Sequence, residues 1–231
     1  MERNPILCAI DTPEPSRARA LVAATAGLIG GIKLGLEFFV ANGPAAVRDL
    51  AGPPLFLDLK LHDIPNTVAG AVRSAAALRP ALLTIHCSGG AAMMRAAAEA
   101  AKAVASAERP MRLIGVTVLT SLDDGDLVAV GQQGPAAAQV KRLAHLARAS
   151  GLDGIVCAPQ EAAALRTACG PDFLLVVPGI RPAGAALGDQ KRAMGPRAAL
   201  AAGADYLVIG RPITAAADPA AAARALRDEI R

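Results

Sequence analysis

Charged side chains are concentrated in residues 58–67, which read Asp-Leu-Lys-Leu-His-Asp-Ile-Pro-Asn-Thr. An apolar run, residues 55–57, precedes them. If this run is a β-strand, Asp58 and Lys60 point to the same side, because side chains in a strand alternate with a period of two residues. Asp63 then follows the strand, where the chain must turn. Two carboxylates and an ammonium group are costly to bury in a core, so we interpret this segment as a functional site.

The chemistry available to such a site is proton transfer beside a carboxylate. A positioned ammonium group can donate a proton to a carbanion. An adjacent carboxylate can destabilise a substrate carboxylate before it leaves. Lys33, in an earlier apolar run, extends the alternation of charge, so that each ion can be flanked by opposite charges. The alternative is a structural ion-pair network without a catalytic role.

His86 is a further candidate, because it ends another apolar run. It could act as a general base. We favour a hydrogen-bonded residue that lines the same site, since buried polar side chains are usually paired in this way. No Ser/His/Asp or Cys/His set occurs at positions suited to nucleophilic catalysis.

The elements that must position these residues are eight short apolar runs of about strand length. Most are rich in Val, Ile and Leu on both faces, as expected of buried parallel strands. They are residues 6–11, 31–36, 55–61, 82–87, 113–119, 154–158, 174–180 and 206–210. Ala-rich segments with helical spacing lie between them, at residues 17–26, 44–50, 67–78, 93–106, 135–149, 161–168, 197–202 and 219–231.

This alternation predicts an α/β fold, a single (β/α)8 TIM barrel domain over residues 1–231. An open doubly wound sheet is the alternative, and it would normally carry a glycine-rich fingerprint after its first strand. The first run here ends in Asp11-Thr12-Pro13, without a glycine nearby. We therefore favour the barrel.

Polar residues fall at one end of the predicted strands. In a barrel the carboxyl ends of the strands meet on one face, and that face carries the active site. The residues concerned are Asp11, Lys33, Asp58, Lys60, His86, Thr120, Ser121, Arg181 and Arg211.

The loops after the seventh and eighth runs are suited to bind phosphate. Barrels of this type often hold phosphate there, beside a helix N-terminus. Gly179 and Gly210 permit close approach of the backbone, and Arg211 supplies several donors. Ordinary turn glycines and a surface arginine are the alternative. The long loop from Pro182 to Gly188 could close over a ligand.

Composition excludes several functional classes. Hydrophobic residues make up 53% of the 231 residues, which is ample for a core, whereas aromatic residues make up only 2%. Scattered arginines with a net charge of +4 and few stacking platforms argue against nucleic-acid binding. The four cysteines form no CxxC pair, which argues against zinc or redox motifs and favours free thiols in a reducing compartment. We expect a cytoplasmic protein with no signal peptide and no membrane span.

The sequence closely resembles orotidine 5′-phosphate decarboxylases. The matching segments span nearly the whole chain and occur in the same order. Residues 58–67 carry the most specific part of the resemblance. The other matching segments are residues 9–11, 32–33, 118–121, 177–181, 188–192 and 210–213. We find no departure at these positions.

The resemblance implies decarboxylation of orotidine 5′-monophosphate (OMP) to UMP, without a metal or organic cofactor. Lys60 would donate the proton to C6, and Asp58 would hold Lys60 and lie near the substrate carboxylate. Asp63 and Thr67 would reach the active site of the partner in a homodimer. The substrate-binding candidates are Asp11 and Lys33 for the ribose, Thr120 and Ser121 for the pyrimidine, Gln190, Gly210 and Arg211 for the phosphate, and Pro178 and Arg181 nearby.

The nearest rival is a magnesium-dependent decarboxylase or aldolase of sugar phosphates from the same suprafamily. Those enzymes resemble this chain in Asp-x-Lys-x-x-Asp but place a metal-ligating acid where this chain has Lys33. A cation at this position would repel magnesium, so the sequence favours the metal-free reaction. A non-catalytic nucleotide-binding barrel would be expected to lack Lys60 or one of the aspartates.

Overall fold

Eight parallel strands form a closed barrel in which each strand pairs with its neighbours in sequence and β1 pairs with β8. The computed structural model describes residues 4–50, 52–105, 111–182 and 194–230. The strands are β1 (Ile6–Ala9), β2 (Gly31–Gly35), β3 (Leu55–Leu61), β4 (Leu82–His86), β5 (Arg112–Val116), β6 (Gly154–Val156), β7 (Leu174–Val177) and β8 (Tyr206–Ile209). The predicted TIM barrel is confirmed.

Helices cover the outside of the barrel. They are α1 (Pro15–Thr25), α2 (Leu36–Asp49), α3 (Pro65–Ala76), α4 (Gly90–Val104), α5 (Asp124–Ala129), α6 (Ala136–Ala149), α7 (Ala162–Cys169), α8 (Pro196–Ala201), α9 (Arg211–Thr214) and α10 (Pro219–Glu229). Within the described ranges, no helix is long and apolar enough to cross a membrane.

The structure corrects several predicted boundaries. Helix α2 begins at Leu36, well before the predicted residue 44. It consists of two helical pieces that meet at a kink at Gly43 (φ 69°), next to Pro44. Helix α5 was not predicted, and a reciprocal capping box between Asp123 and Asp126 holds its first turn. Strand β5 ends at Val116 rather than residue 119.

Two apolar layers build the core. The smaller layer fills the inside of the barrel and includes Ala9, Phe56, Val176 and Val208. The larger lies between the strands and the helices, with residues of the opposite alternation phase, such as Cys8. Because Ala9, Lys33 and Phe56 are in register on adjacent strands, Lys33 lies in the inner layer with a charged group at its tip.

The cysteines belong to this packing. All four are free and buried. Burial raises the pKa of the Cys8 thiol to about 12, with a further contribution from Asp11, and burial raises the pKa of Cys87 to about 12. These thiols remain protonated at neutral pH and behave as small apolar side chains.

Candidate active site

A cavity of about 440 Å³ opens at the carboxyl ends of the strands. Val116, Val156, Val176 and Val208 line it together with Phe56, so its lower part is apolar. Ten of the residues predicted from the sequence also line it: Asp11, Lys33, Asp58, Lys60, Thr120, Pro178, Gly179, Arg181, Gly210 and Arg211. The strand ends therefore bring the charged residues and the two glycine loops to one site.

Four charged groups form a continuous chain along one wall. Lys33 Nζ lies 3.1 Å from Asp11 Oδ1 and 3.5 Å from Asp58 Oδ2. Lys60 Nζ lies 2.7 Å from the same Asp58 Oδ2. The Asp58 side chain is 10% exposed and that of Asp11 is 53% exposed, so the chain of charges runs from the solvent into the barrel.

Asp58 is a buried carboxylate that stays ionised. Burial by itself would raise its pKa, but the ammonium groups of Lys33 and Lys60 and two side-chain hydrogen bonds outweigh burial and lower the pKa below its ordinary value. The ionised carboxylate attracts the ammonium groups of Lys33 and Lys60, which lie within 3.5 Å of it. The site therefore presents fixed positive and negative charges to one cavity.

The backbone at Lys60 is unusual. Its φ is 50°, in the left-handed region that non-glycine residues rarely adopt. The register between β3 and β4 shifts here, because Leu57 pairs with Leu83 while Leu61 pairs with Ile85. Such an irregularity re-aims side chains next to a site. Asp58 and Lys60 both reach the cavity, as predicted, but through this irregular segment rather than through simple alternation.

Thr84 of β4 holds this segment, and sequence reasoning missed it. Its hydroxyl accepts the Lys60 backbone N–H at 2.8 Å and donates to Asp58 Oδ1 at 2.9 Å. The residue is fully buried. The available signal was one hydroxyl in an otherwise apolar strand, Leu82-Leu83-Thr84-Ile85, and that signal is weak by itself.

Asp63 and Thr67 lie apart from this cavity. Both are exposed, and neither is among its described lining residues. The Asp63 carboxylate accepts the backbone N–H of Ile64 at 2.6 Å, and Thr67 belongs to the first turn of α3. Within one chain, the two halves of the charged decapeptide therefore face different surroundings.

The opposite end of the cavity is cationic. Gly179, with φ 77°, permits the turn after β7, and Arg181 follows it. Arg211 opens α9 directly after Gly210. Burial and then the nearby Arg211 guanidinium lower the pKa of Arg181. Gln190 and residues 183–188 of the predicted closing loop lie outside the described residues.

Of the remaining candidates, Thr120 lines the cavity, whereas Ser121 and His86 are not among its described lining residues. Thr120 lines the cavity beside Val118 and Leu119, whereas Ser121 is exposed and is not among the described lining residues. The His86 ring lies against the His62 ring, with centroids 5.3 Å apart, and also stays out of the described lining. Burial, then His62 and Lys60, lower the pKa of His86, so it remains neutral near pH 7.

Metal-ligating side chains do not cluster in the described part of the chain: residues 4–50, 52–105, 111–182 and 194–230 contain no group of three or more His, Cys, Asp or Glu side chains able to hold an ion. At the acidic wall, Lys33 Nζ lies between the carboxylates of Asp11 and Asp58. An ammonium group in this position opposes a divalent cation there.

The chain is similar to known proteins over nearly its whole length. Residues 4–226 match the sequence model of the "Orotidine 5′-phosphate decarboxylase / HUMPS family". The chain is 56% identical to the orotidine 5′-phosphate decarboxylase of Paramagnetospirillum magneticum, over 98% of each chain. It is 55% identical to that of Rhodospirillum rubrum, over 100% of this chain and 95% of the relative.

A solved structure agrees in fold. The crystal structure of orotidine 5′-phosphate decarboxylase from Lactobacillus acidophilus has a TM-score of 0.87 and 35% sequence identity, and 99% of each chain is covered. With a family match over most of its length and relatives above half identity, this chain belongs to the orotidine 5′-phosphate decarboxylase / HUMPS family.

Proposed function

We propose that this protein decarboxylates OMP to UMP and carbon dioxide, the last step of de novo pyrimidine synthesis, without a metal or organic cofactor. The observation that carries the proposal is the Asp11–Lys33–Asp58–Lys60 chain, which presents a buried carboxylate and an ammonium group side by side to one cavity. Relatives at 55–56% identity are named as this decarboxylase.

The charged wall suits both halves of the reaction. Asp58 carries a fixed negative charge, which disfavours a substrate carboxylate placed beside it and favours its departure as neutral carbon dioxide. The electron pair of the broken carbon–carbon bond stays on C6. Lys60 then gives one ammonium proton to C6, forms UMP, and regains a proton from solvent. The 2.7 Å contact to Asp58 fixes the direction of that ammonium group.

Binding of the rest of the substrate follows the shape of the cavity. Asp11 and Lys33, at the end of the charged chain opposite Lys60, are placed to bind ribose hydroxyl groups. Thr120 is placed to contact the pyrimidine, with Pro178 nearby. Arg181 and Arg211 form a cationic end suited to the phosphate, where Gly210 leaves room for the backbone to approach. Gln190 and Ser121 remain candidate contacts.

We also propose a homodimer in which Asp63 and Thr67 complete the partner's active site. Both residues are exposed, and neither is among the described residues that line their own cavity. Ile64, between them in the sequence, is 67% exposed, and Leu36 and Val40 of α2 are 50% and 79% exposed. Large apolar side chains exposed near polar functional residues are typical of an interface. The buried free thiols suit a reducing compartment, which supports the cytoplasm as the location.

The magnesium-dependent alternative is less well supported. Its chemistry needs carboxylates free to bind the cation, and here Asp11 and Asp58 both bind the Lys33 ammonium group. The experiment that separates the two proposals is an ultraviolet assay of OMP decarboxylation by the purified chain, with and without excess EDTA. We expect equal rates; activity lost with EDTA and restored by magnesium would favour the alternative.

A further inference from the structure

One buried hydroxyl joins the two catalytic candidates of β3. Thr84, on the adjacent β4, bonds to the backbone of Lys60 and to the side chain of Asp58. It lies below the cavity wall and is not among the described residues that line it. Whatever Thr84 contributes to the reaction must therefore act through these two residues.

The direction of both hydrogen bonds follows from their chemistry. The Lys60 N–H can only donate, so the Thr84 oxygen accepts there at 2.8 Å. The hydroxyl proton is then left for Asp58 Oδ1 at 2.9 Å. An ionised carboxylate can only accept, so this arrangement suits the charged form of Asp58.

The hydrogen bond from Thr84 also fixes which oxygen of the Asp58 carboxylate faces Lys33 and Lys60. Both ammonium groups contact Oδ2 of Asp58, at 2.7 Å for Lys60 and 3.5 Å for Lys33. Within the described residues, the side-chain partner of Oδ1 is Thr84. With Oδ1 held from below, the carboxylate cannot rotate freely, and Oδ2 stays between the two lysines.

The second bond supports a strained backbone. Lys60 has φ 50°, in the left-handed region that is unfavourable for a residue with a side chain. The register shift of β3 against β4 brings the Lys60 N–H opposite the Thr84 side chain instead of a strand carbonyl. The Thr84 hydroxyl replaces the missing ladder partner and so stabilises the conformation that directs Lys60 into the cavity.

From these contacts we propose that Thr84 is a positioning residue for the decarboxylation, which fixes Asp58 and Lys60 in their reactive arrangement without touching the substrate. This inference rests on the proposed function. It predicts a loss in turnover rather than in phosphate binding, because the phosphate candidates Arg181 and Arg211 follow β7 and β8 and do not lie on β3 or β4.

The test compares Thr84→Val, which keeps the size of the side chain and removes the hydroxyl, with Thr84→Ser, which keeps the hydroxyl. For Thr84→Val we expect kcat for OMP to fall roughly 10- to 100-fold, the range expected for a misplaced catalytic group, with KM close to wild type. Thr84→Ser should restore most of kcat. If Thr84→Val does not fold, Thr84→Ala removes the same hydroxyl with less risk of crowding.

Thr117→Val is the matched control. Thr117 is also a buried threonine near a strand end, but its hydroxyl donates to the Val156 carbonyl at 2.8 Å and does not contact the charged wall. We expect its kcat to stay near the wild-type value. Wild-type kcat in Thr84→Val, or a Thr84→Ser variant as impaired as Thr84→Val, would overturn the proposal.

A pH measurement separates positioning from general loss of structure. Without the Thr84 donor, the charged form of Asp58 loses a hydrogen bond, so its pKa should rise and the acidic limb of the kcat profile should move to higher pH. The other groups that face Asp58 are Lys33, Lys60 and His86, and all three remain in the variant. An unshifted limb would contradict the proposal.

The role of Thr84 can still be tested if the proposed function is wrong. In that case the wild-type chain would not turn over OMP at all. The titration of Asp58, followed by carbon-13 NMR and assigned with Asp58→Asn, would still test Thr84, because its pKa should rise in Thr84→Val and not in Thr117→Val. Equal titration in both variants would refute the positioning role.

Discussion

At the residue scale, one carboxylate oxygen holds two ammonium groups in place. Asp58 Oδ2 contacts both Lys33 and Lys60, while Oδ1 accepts from Thr84. Removing Asp58 would leave two ammonium groups close together and partly buried, which is costly. The same charges that suit catalysis therefore also bear on stability, and single changes here should affect both.

The first prediction concerns Lys60→Ala. We expect kcat for OMP to fall by roughly 100- to 10,000-fold, as for loss of a general acid, with UMP still bound. Stopped assays and UMP titration by calorimetry would measure the two effects. Lys141→Ala, which removes an exposed lysine of α6, is the control. Near-normal turnover by Lys60→Ala would remove Lys60 from the role of proton donor.

The second prediction concerns Arg211→Ala and the phosphate. Because a charged hydrogen bond is worth about 1.5–3 kcal/mol, we expect UMP binding to weaken roughly 10- to 100-fold and uridine binding to change little. Arg227→Ala is the matched control, since Arg227 pairs with Asp228 on α10 and does not line the cavity. Equal weakening for UMP and uridine would argue against a phosphate contact.

The third prediction is a dependence of stability on pH. The folded-state pKa of Asp58 lies below its ordinary value of 3.8, so its contribution to the free energy of unfolding is present above pH 3.8 and is lost as the pH falls through the folded-state pKa. Urea unfolding at a series of pH values should show wild type and Asp58→Asn converging below about pH 4. A constant difference between them down to acid pH would contradict this.

At the element scale, the strands could be predicted because each largely coincides with a short apolar run. All eight runs match strands, and seven of the ten cavity-lining candidates lie after a strand end, while Lys33, Asp58 and Lys60 lie inside β2 and β3. Close approach of neighbouring strands depends on glycine at several points, such as Gly31 and Gly154, where a Cβ would meet neighbouring backbone atoms. Glycine also leaves room for the end of the Lys33 side chain, because a Cβ at Gly35 would lie 3.1 Å from Lys33 Nζ.

Other features had no signal that spacing could reveal. Thr84 is one hydroxyl in an apolar strand, and its role depends on a register shift that appears only when β3 and β4 pair. Helix α5 begins with an Asp–Asp capping box rather than the usual Ser or Thr with Glu. The roles of Asp63 and Thr67 came from the resemblance alone, because one chain cannot show what its partner contributes.

The fourth prediction tests close packing between β6 and β7. A Cβ at Gly154 would lie 2.3 Å from the Leu174 carbonyl oxygen and 2.5 Å from its Cβ. Because backbone would have to move, we expect Gly154→Ala to lower the free energy of unfolding by about 1–3 kcal/mol. Gly70→Ala, in the middle of α3 where the nearest atom is 3.8 Å away, should raise it by about 0.5–1 kcal/mol. Urea unfolding of both variants would measure this.

At the scale of the whole molecule, only part of the charged segment 58–67 lines the cavity of its own barrel. Asp58 and Lys60 line the cavity, while Asp63, Ile64 and Thr67 are exposed and are not among its described lining residues. A single barrel domain over the full chain and a dimer that shares its sites remain predictions. In a symmetric dimer the same surface meets its copy, so both cavities would gain the partner's Asp63.

The fifth prediction is that two inactive variants restore activity when mixed. Lys60→Ala lacks the proton donor but keeps Asp63, and Asp63→Ala lacks only the residue offered to the partner. In a mixed dimer, the cavity of the Asp63→Ala chain has its own Lys60 and receives Asp63 from its partner. Random re-pairing makes about half of the dimers mixed, each with one intact site, so we expect about a quarter of wild-type activity.

The control for this experiment mixes Lys60→Ala with Asp58→Ala. Both of these changes affect a cavity's own chain, so neither site of the mixed dimer is intact and no activity should return. Subunit exchange is followed in both mixtures by native mass spectrometry. Full activity of Asp63→Ala alone, or no recovery despite exchange, would show that each barrel works with its own residues and that the exposed half of the decapeptide serves another purpose.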